Sequence, residues 1–548
     1  MQAFAQLVEA LDASNATSEK VAALRTHFET VPACDAAWAI YFLAGGKPRR
    51  LVPSRLLREA ACAAAGLEPW LFEECYESVG DLAETISLLL PEPTGLARTA
   101  GLSWWMRERV LPLRTLSPAE CEAALRSAWA ELGTRERFVF NKLITGGLRL
   151  GVSRQLSLRA LALAFGLDAR LLAQRIIGYT DSAHEPDANR FTALVAAEGA
   201  ALPPLLPYPF FLAHGWDPKD AAHSRTADWL VEWKWDGIRA QVVRRADGLA
   251  IWSRGEELLT ERFPEIAQPA GDLQVGCVLD GELLCWRAGE SRPMDFAAMQ
   301  TRIGRERPGA ASLRQAPVVF VAFDCLEYRG EDLRGRSLAE RRAVLAQLLP
   351  GGHGAAAALR LAQPLPATQW SQHARWREQA REHGAEGLMI KRLDSVYGVG
   401  RSRAEGGSWF KWKLDPYSVD AVLVYAQAGH GRRAGLYTDY TFAVWSDQAQ
   451  GERRLVPFAK AYSGLADAEI RELDKIIRRT TTEKFGPVRS VLPEQVFEIG
   501  FEGIARSTRH RAGVAVRFPR ILRWRRDKPP AQADTLASLQ GLVAVNRA

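Results

Sequence analysis

The hydrophobic pattern of the chain changes twice along its 548 residues, and these changes restrict the folds that are open to it. Residues 1–181 carry apolar side chains at helical spacing, as in "PAECEAALRSAWAEL", which predicts an all-α region. Residues 211–414 alternate short β-rich runs with helical runs and predict an α+β domain. Residues 415–530 hold short β-rich runs around one helical run, which is typical of a small β-barrel. We therefore expect a multidomain protein.

Two further segments follow neither periodicity. Residues 182–210 lose the helical pattern and end in the proline-rich "ALPPLLPYPF", which predicts a linker. Residues 531–548 are interpreted as a loose C-terminal tail. A chain of this length exceeds a single ordinary core, so several domains joined by such segments are expected.

Composition narrows the class of protein. Hydrophobic residues make up 47% and charged residues 25% of the sequence, as in ordinary globular proteins. The net charge of +7 permits a polyanionic partner. The seven cysteines form no C-x-x-C pair, which argues against a zinc site or a disulfide framework and favours a reducing compartment. We expect a cytoplasmic protein without a membrane partner, since neither a signal peptide nor a spanning apolar run is visible.

The segment "VEWKWDGIRAQVV" combines a strand pattern with charges. Gly237 permits a tight turn where the predicted strand ends. Two interpretations remain open for Lys234: a solvated sheet edge guarded by charge, or a nucleophile in a nucleotide pocket. The alternation assigns the side chains to two faces, with Trp229, Val231, Trp233 and Trp235 on one and Glu232, Lys234 and Asp236 on the other.

Five more motifs follow in order, and each alone has an ordinary structural explanation. Glu282 could be a turn carboxylate, Phe323 a core aromatic residue, and Lys411 part of a solvated strand face. Their occurrence together favours one shared site. The motifs are "SRGE" with Arg254, "LDGEL" with Glu282, "FDCL" with Phe323, "EGLMIK" with Glu386 and Lys391, and "FKWK" with Lys411 and Lys413.

This ordered set resembles the nucleotidyltransferase motifs of the covalent ligase and capping-enzyme superfamily. "AVRFPRILRWRRDK" resembles the last motif of ATP-dependent DNA ligases, and "FNKLITGGLRLGVS" resembles the DNA-binding domain of three-domain ligases. The chain is identified as a member of the ATP-dependent DNA ligases. The resemblance implies a helical DNA-binding domain over 1–181, an adenylation domain over 211–414 and an OB-fold domain over 415–530.

The resemblance also implies the reaction and the nucleophile. Lys234 would attack the α-phosphorus of ATP and carry AMP, which would pass to the 5′-phosphate of a nick in duplex DNA. Arg239, Lys391, Lys411 and Lys413 would supply the positive field that the amine and the phosphates need. The expected co-substrate is ATP and the expected metal Mg²⁺, with Mn²⁺ as an alternative. A monomer acting in DNA repair, replication or recombination is expected.

Further nucleotide contacts come from the same resemblance. Glu282 and Glu386 match the metal-contacting carboxylates, since Mg²⁺ prefers carboxylate, phosphate and water oxygens. Glu232 matches a glutamate that accepts a hydrogen bond from the amino group of adenine. Phe323 matches the aromatic residue that stacks on the base. The remaining assignments are Arg239 and Arg254 at the ribose and phosphates, Arg403 before the paired lysines, and Arg517 and Lys528 at the departing pyrophosphate.

The candidate DNA contacts lie in two turns of the helical region. The loop "GGKPRR" offers Lys47, Arg49 and Arg50, although a solvated loop explains it almost as well. In "TGGLRLGV" the glycines Gly146 and Gly147 permit close backbone approach, and Arg149 supplies charge. The alternative for this second segment is a simple turn between helices.

Two rival functions remain. An RNA ligase or a GTP-using capping enzyme would share the lysine chemistry, but the helical first domain and "RFPR" argue against both. A DNA-binding scaffold without activity would not need Lys234, Glu282 and Glu386 together. The sequence contains no G-x-x-x-x-G-K-[ST] loop, so ATP would bind in the pocket around Lys234.

Overall fold

The structure is a computed structural model that divides into two compact units, each described by itself. One unit comprises residues 1–9, 47–149 and 415–548, and the other comprises residues 10–46 and 150–414. The structure describes the chain except residues 15, 47–50, 80, 94–98, 149, 181–184, 197–203, 218, 220–223, 350–356, 402–407, 430–434, 448–452, 463, 486–487, 509 and 546–548.

Every named element in the described part of residues 1–194 is helical. A short α-helix at 102–105 continues into a π-helical turn at Met106–Val110 and a 3₁₀ turn at Leu111–Arg114. The α-helices are α1 (Gln2–Ala13), α2 (Thr17–Thr30), α3 (Ala33–Leu43), α4 (Ser54–Ala65), α5 (Pro69–Val79), α6 (Leu82–Leu89), α7 (Leu102–Trp105), α8 (Pro118–Glu131), α9 (Thr134–Thr145), α10 (Arg154–Phe165), α11 (Ala169–Arg175) and α12 (Ala188–Leu194).

Helix α9 carries the "FNKLIT" part of the "FNKLITGG" segment and is fixed by buried polar side chains. Asn141 accepts a hydrogen bond from the indole nitrogen of Trp129 at 2.9 Å. Arg137, only 2% exposed, donates to the carbonyl of Trp129 at 2.7 Å. Gly146 ends the helix with a φ of +68°, a left-handed conformation that favours glycine. The geometry at this position is that of a helix terminus.

The α+β region forms two sheets. A four-stranded sheet has the order β1-β10-β9-β2, and a six-stranded sheet has the order β4-β3-β5-β6-β7 with β8 beside β6. The strands are β1 (His214–Gly215), β2 (Trp229–Trp235), β3 (Ile238–Arg245), β4 (Gly248–Ser253), β5 (Cys277–Cys285), β6 (Val318–Tyr328), β7 (Glu331–Asp332), β8 (Leu359–Leu361), β9 (Ala385–Arg392) and β10 (Trp409–Lys413). The helices are α13 (Pro264–Ala270), α14 (Phe296–Ile303), α15 (Ala310–Gln315), α16 (Leu338–Leu348) and α17 (Trp370–Gln379).

Each sheet buries one face in a hydrophobic cluster of its own. In the six-stranded sheet, alternate residues such as Val242 and Leu279 pack with Phe263, which precedes α13, and with Leu345 of α16. In the four-stranded sheet, Val231 and neighbouring aromatic residues pack with Trp370 of α17. The charged residues of "VEWKWDG" and "FKWK" alternate with these core residues. They therefore lie on the opposite faces of the strands, where the candidate site is found.

One tryptophan of β2 differs from the predicted alternation. Trp229, Val231 and Trp233 share a cluster, as predicted. Trp235 instead packs beside Leu284, because the pairing of β2 with β9 shifts register between Trp233 and Trp235.

The C-terminal region is built on a seven-stranded sheet whose long first strand pairs with three neighbours. A further hairpin of two strands shares no ladder with this sheet, but its Ile504 and Val514 pack in the same hydrophobic core. The elements are β11 (Tyr417–Ala428), β12 (Tyr437–Asp447), β13 (Arg453–Ala461), α18 (Asp467–Thr480), β14 (Thr481–Phe485), β15 (Val488–Val491), β16 (Val496–Phe501), β17 (Gly503–Arg506), β18 (Val514–Arg517), β19 (Arg520–Trp524) and α19 (Leu536–Val545).

Two segments interpreted as linker and tail contain packed helices. Helix α12 lies within the interpreted linker, is capped by the side chain of Asp187, and buries Phe191 and Leu194. Helix α19 lies within the interpreted tail, and it buries Leu539 and Val543 in the core of the C-terminal sheet. Burial of these apolar residues stabilises both helices, which are too short to be stable alone.

None of the helices in the described ranges combines the length and the apolar character that crossing a bilayer requires.

Candidate active site

The candidate nucleophile lies near the end of β2, at a point where two backbones approach closely. A Cβ atom on Gly237 would lie 2.4 Å from the carbonyl oxygen of Leu283, so any other residue would push the strands apart. The chain then enters β3, which pairs with β5. Gly237 therefore allows the segment after Lys234 to pass directly over β5.

Lys234 and Glu386 form the central ion pair of the site. Nζ of Lys234 lies 2.5 Å from Oε2 of Glu386, and their side chains are 20% and 21% exposed. Nζ of Lys413 lies 3.7 Å from the same oxygen. Burial favours the neutral form of Glu386, but the charges of Lys234 and Lys413 hold the pKa of this carboxyl below its ordinary value.

The paired lysines of β10 face the same side as Lys234. Lys411 is opposite Met389 in the ladder with β9, and Lys413 is opposite Gly387. Partial burial lowers the pKa of Lys411, and the nearby positive charges of Arg401, Lys413, Lys234 and Arg254 lower it further. These positive charges repel one another, and a bound anionic ligand would reduce that repulsion.

Glu282 brings a second carboxylate to this positive region. Burial raises its pKa to about 7, although Lys234, Arg239 and Arg254 oppose the rise. No group of three or more metal-ligating side chains occurs within the described ranges. A divalent cation would therefore find two carboxylates here, Glu282 and Glu386, and would need phosphate or water oxygens to complete its coordination. This donor set fits Mg²⁺, which retains several waters and contacts few carboxylates.

Glu232 lies two residues before Lys234 on the same strand face and is buried. Its Oε2 accepts a hydrogen bond from Nζ of Lys391 at 2.7 Å. Its Oε1 lies 3.2 Å from Nη1 of Arg342. Lys391 is 1% exposed, and burial lowers its pKa although Glu232 favours the charged form.

Phe323 connects the two sheets at the candidate base pocket. Its ring packs edge-on to that of Trp409, with 6.1 Å between the centroids. Nζ of Lys391 lies 4.0 Å from the centroid of Phe323. This cation–π contact occupies part of the ring surface, and the other parts of the half-buried ring remain for a planar base.

The guanidinium of Arg239 forms hydrogen bonds with other groups of the protein. Its Nη2 donates to Oδ2 of Asp280 at 2.7 Å, and its Nη1 donates to the carbonyl of Phe211. The hydroxyl of Tyr397 donates to Asp280 at 2.5 Å. Burial disfavours the charge of Arg239, but Asp280 raises the pKa of the guanidinium overall. Arg239 thus joins β3, β5 and the segments around Phe211 and Tyr397.

Arg517 and Lys528 lie in the C-terminal strand region, within the unit that comprises residues 1–9, 47–149 and 415–548. The guanidinium of Arg517 lies 5.1 Å from the ring centroid of Phe518, a residue that is 66% exposed. Nζ of Lys528 lies 2.7 Å from Oδ2 of Asp420, which Arg525 also contacts.

Several candidate residues lie outside the described residues. They are Lys47, Arg49, Arg50, Arg149 and Arg403. Gly146 and Gly147 are described, and they follow α9 directly.

Comparisons with known proteins cover nearly the whole chain. Residues 211–413 match the family described as "ATP dependent DNA ligase domain". Residues 1–162 match "DNA ligase N terminus", and residues 433–528 match "ATP dependent DNA ligase C terminal region". A "Probable DNA ligase" of Koribacter versatilis is 33% identical, and the alignment covers 98% of this chain and 95% of that protein. The chain belongs to the ATP-dependent DNA ligase family.

Two further comparisons concern one named protein and one solved structure. A "DNA ligase" of Methanoculleus marisnigri is 31% identical, with 89% of this chain and 87% of that protein covered. The solved structure titled "Pmar-Lig_PreS3" aligns with a TM-score of 0.62 and 16% identity, over 95% of this chain and 99% of that one. The second likeness concerns the fold alone.

Sequence reasoning missed several residues that complete the site of this ligase. Asp280 and Tyr397 hold Arg239, and Trp409 packs on Phe323. Asp280 was visible as the aspartate of "LDGEL", but nothing local signals its partner. Arg401 adds charge near Lys411.

Two consecutive arginines of α16 were also missed. Arg341 forms two hydrogen bonds to Asp324, at 2.8 and 2.9 Å, with both side chains fully buried. Arg342 contacts Glu232. The adjacent arginines in "SLAERRAVL" were the only sequence signal, and such pairs are usually solvated on a helix surface.

Proposed function

We propose that the chain seals nicks in duplex DNA, joining a 5′-phosphate to a 3′-hydroxyl with ATP as co-substrate. The observation that carries this proposal is the position of Lys234. It sits near the end of β2, 2.5 Å from Glu386 and amid the positive charges that act on Lys411. Membership of the ligase family supplies the reaction class, and this geometry supports Lys234 as the nucleophile.

The first step forms a bond between nitrogen and phosphorus. Nζ of Lys234 attacks the α-phosphorus of ATP, the bond to the bridging oxygen breaks, and pyrophosphate leaves. The amine must first lose its proton, and Oε2 of Glu386 is the acceptor already in hydrogen-bond contact with it. Once the amine is neutral, the charge that lowers the pKa of Glu386 is reduced, so the carboxyl holds the proton more readily.

The cations around Lys234 stabilise the charge of the phosphates during transfer. Lys411 and Lys413 extend from the strand beside β9, and Arg254 acts on the same region. Fixed positive charges in a partly buried site need no reorganisation when charge develops on the leaving pyrophosphate. We assign these residues to the phosphates rather than to the base.

The later steps use the same pocket. The 5′-phosphate of the nick attacks the adenylate, the bond to Lys234 breaks, and a DNA-adenylate forms. The 3′-hydroxyl then attacks the DNA phosphate, loses its proton and expels AMP. Each step exchanges one phosphorus bond for another, so no oxidant or reductant is needed.

The base pocket is assigned to adenine. Glu232 would accept a hydrogen bond from the amino group of the base, and Phe323 would stack on its ring. In support, Oε1 of Glu232 is buried without a hydrogen-bond partner among the described residues. Arg239 would act on the nucleotide from its place beside Asp280, by orienting the pocket wall.

Mg²⁺ would be held by Glu282 and Glu386, with Mn²⁺ as an alternative metal. When bound, such an ion supplies charge neutralisation at the phosphate oxygens.

The remaining parts of the chain are assigned to DNA. We infer that the helical N-terminal region and an OB-fold in the C-terminal strand region grip a nicked duplex as a monomer, largely through backbone phosphates. Arg517 and Lys528 would contact pyrophosphate in the first step. The segments Lys47 to Arg50 and Gly146 to Arg149 would contact DNA. The free state of all seven cysteines supports action in a reducing compartment, the cytoplasm.

The deciding experiment follows AMP on the protein and nick sealing in parallel. Purified protein is incubated with labelled ATP, and peptides are analysed by mass spectrometry for AMP on Lys234. Sealing of a singly nicked duplex is measured in the same preparation. Lys234→Ala should abolish both signals, while Lys219→Ala, at a lysine outside the site, should leave both intact.

The rival functions give different results. Labelling by GTP but not ATP would point to a capping-type enzyme, and labelling with sealing only of RNA would point to an RNA ligase. Absence of AMP on the peptide that carries Lys234 would remove the proposed mechanism, even if the protein bound DNA.

A further inference from the structure

The two oxygens of the buried Glu232 carboxylate are held differently. Lys391 donates a hydrogen bond to Oε2 at 2.7 Å. Arg342 lies 3.2 Å from Oε1, yet no hydrogen bond reaches this oxygen from any residue that the structure describes. The Glu232 side chain is 4% exposed. A buried carboxylate oxygen without a donor is rare and indicates a site for a ligand donor or a water.

The hydrogen bonds of Arg342 explain why Oε1 stays open. Nη2 donates to the carbonyl of Ala362 at 2.7 Å, and Nη1 donates to the carbonyl of Phe323 at 3.3 Å. These carbonyls direct the N–H groups of Arg342 away from Glu232. The guanidinium of Arg342 therefore acts on Oε1 of Glu232 through its positive charge. The lone pairs of Oε1 remain available to accept a hydrogen bond.

We propose that Arg342 is a positioning residue that sets purine selectivity through Glu232. The inference rests on the proposed function, because it concerns the base of ATP. Lys391 and Arg342 present positive charge to the two oxygens of the Glu232 carboxylate, and a carboxylate only accepts hydrogen bonds. The 6-amino group of adenine donates to such an oxygen. The 6-oxo group of guanine would instead oppose it with lone pairs.

Arg342 also sets the distance between the acceptor and the stacking ring. Its contact with the carbonyl of Phe323 connects it to β6, while its charge acts on Glu232 in β2. One guanidinium therefore aligns the group that reads the edge of the base with the ring that contacts its face. Loss of Arg342 should alter the choice of base more than the transfer of AMP.

The test measures the efficiency of lysyl-nucleotide formation by the full-length protein with ATP, GTP and purine riboside triphosphate, which lacks the 6-amino group. In Arg342→Gln the ATP-to-GTP ratio of kcat/KM should fall about tenfold or more. Arg342→Lys keeps the charge but not the planar fork, so the ratio should fall about threefold. The preference for ATP over purine riboside triphosphate should fall in parallel.

Two controls separate positioning from a structural effect. Arg336→Gln removes an exposed arginine just before the same helix and should leave the ratio unchanged. A Glu232→Gln/Arg342→Gln double variant should lose no more selectivity than Glu232→Gln alone, since Arg342 acts through Glu232. Thermal unfolding of each variant reports its fold, and Arg342→Lys gives the answer if Arg342→Gln does not fold.

If the Arg342 variants lost kcat/KM by the same factor with ATP and with GTP, the ATP-to-GTP ratio would be unchanged. That result would overturn the inference. Absence of ATP labelling in the unmodified protein would instead overturn the proposed function, and this result requires no variant.

Discussion

Lys234 and Glu386 face each other from β2 and β9, with 2.5 Å between Nζ and Oε2. Because both side chains are about four-fifths buried, the contact is well protected from water. The carboxylate accepts a hydrogen bond from the amine, and we propose that it also takes the proton of the amine.

Replacing Glu386 by glutamine should slow lysyl-AMP formation by about 10²–10³. The amide cannot accept the proton as a carboxylate does, although it fills the same space. Single-turnover labelling with ATP measures the rate. Glu378→Gln, at an exposed position of α17, serves as the control. A rate for Glu386→Gln within threefold of the unmodified protein would exclude Glu386 as the acceptor.

Gly387→Ala should destabilise the α+β region by about 3 kcal/mol or more. The φ of Gly387 is +139°, and a Cβ atom there would lie 2.2 Å from the carbonyl oxygen of Trp412. The added methyl group would force β9, the strand that carries Glu386 and Gly387, to move away from β10. Denaturant unfolding measures the change. Gly335→Ala is the matched control, because its Cβ would have no atom within 4 Å. Similar stabilities for the two variants would contradict this account.

Glu282→Gln should stabilise the protein at pH 8 and have little effect at pH 5. Burial raises the pKa of Glu282 to about 7 in the folded chain, from an ordinary value of 4.5. Between these two values the folded state binds more protons than the unfolded state, so this residue lowers stability as pH rises. The gain at pH 8 should be about 1–3 kcal/mol. Urea unfolding at both pH values tests it, with the exposed Glu290→Gln as control. A gain that is equal at the two pH values would argue against the raised pKa.

Tyr397→Phe should cost about 1–3 kcal/mol of stability. The hydroxyl donates to Asp280 at 2.5 Å and accepts a hydrogen bond from the backbone nitrogen of Phe211 at 3.3 Å. Its removal leaves both groups short of a partner in a buried place. Tyr462, which is 72% exposed, provides a control in Tyr462→Phe. Equal unfolding midpoints for the two variants would show that the network does not stabilise the fold.

The sequence was sufficient for features that depend on neighbours along one strand. The alternation around Lys234 predicted the shared face of Trp229, Val231 and Trp233, but not the departure of Trp235 at the register shift of β2 with β9. The same period of two predicted that Lys411 and Lys413 lie together. Such patterns are visible because the two faces of a strand meet different surroundings.

Contacts between distant segments could not be derived in this way. Asp280 and Tyr397 are separated by 117 positions, and no local sequence pattern predicts the hydrogen bond between them. Helix α19 is short and follows a proline-rich turn, so its local sequence resembles a tail. Its burial of Leu539 becomes visible only when the sheet beneath it is known.

The ion pair of Arg341 and Asp324 should be insensitive to the salt concentration of the solution. Both side chains are fully buried next to Phe323 of the candidate base pocket, so dissolved ions cannot come between them. Contacts with the DNA backbone, in contrast, compete with counterions. Raising ionic strength should therefore stop the joining of DNA ends well before it stops the loading of AMP onto the enzyme.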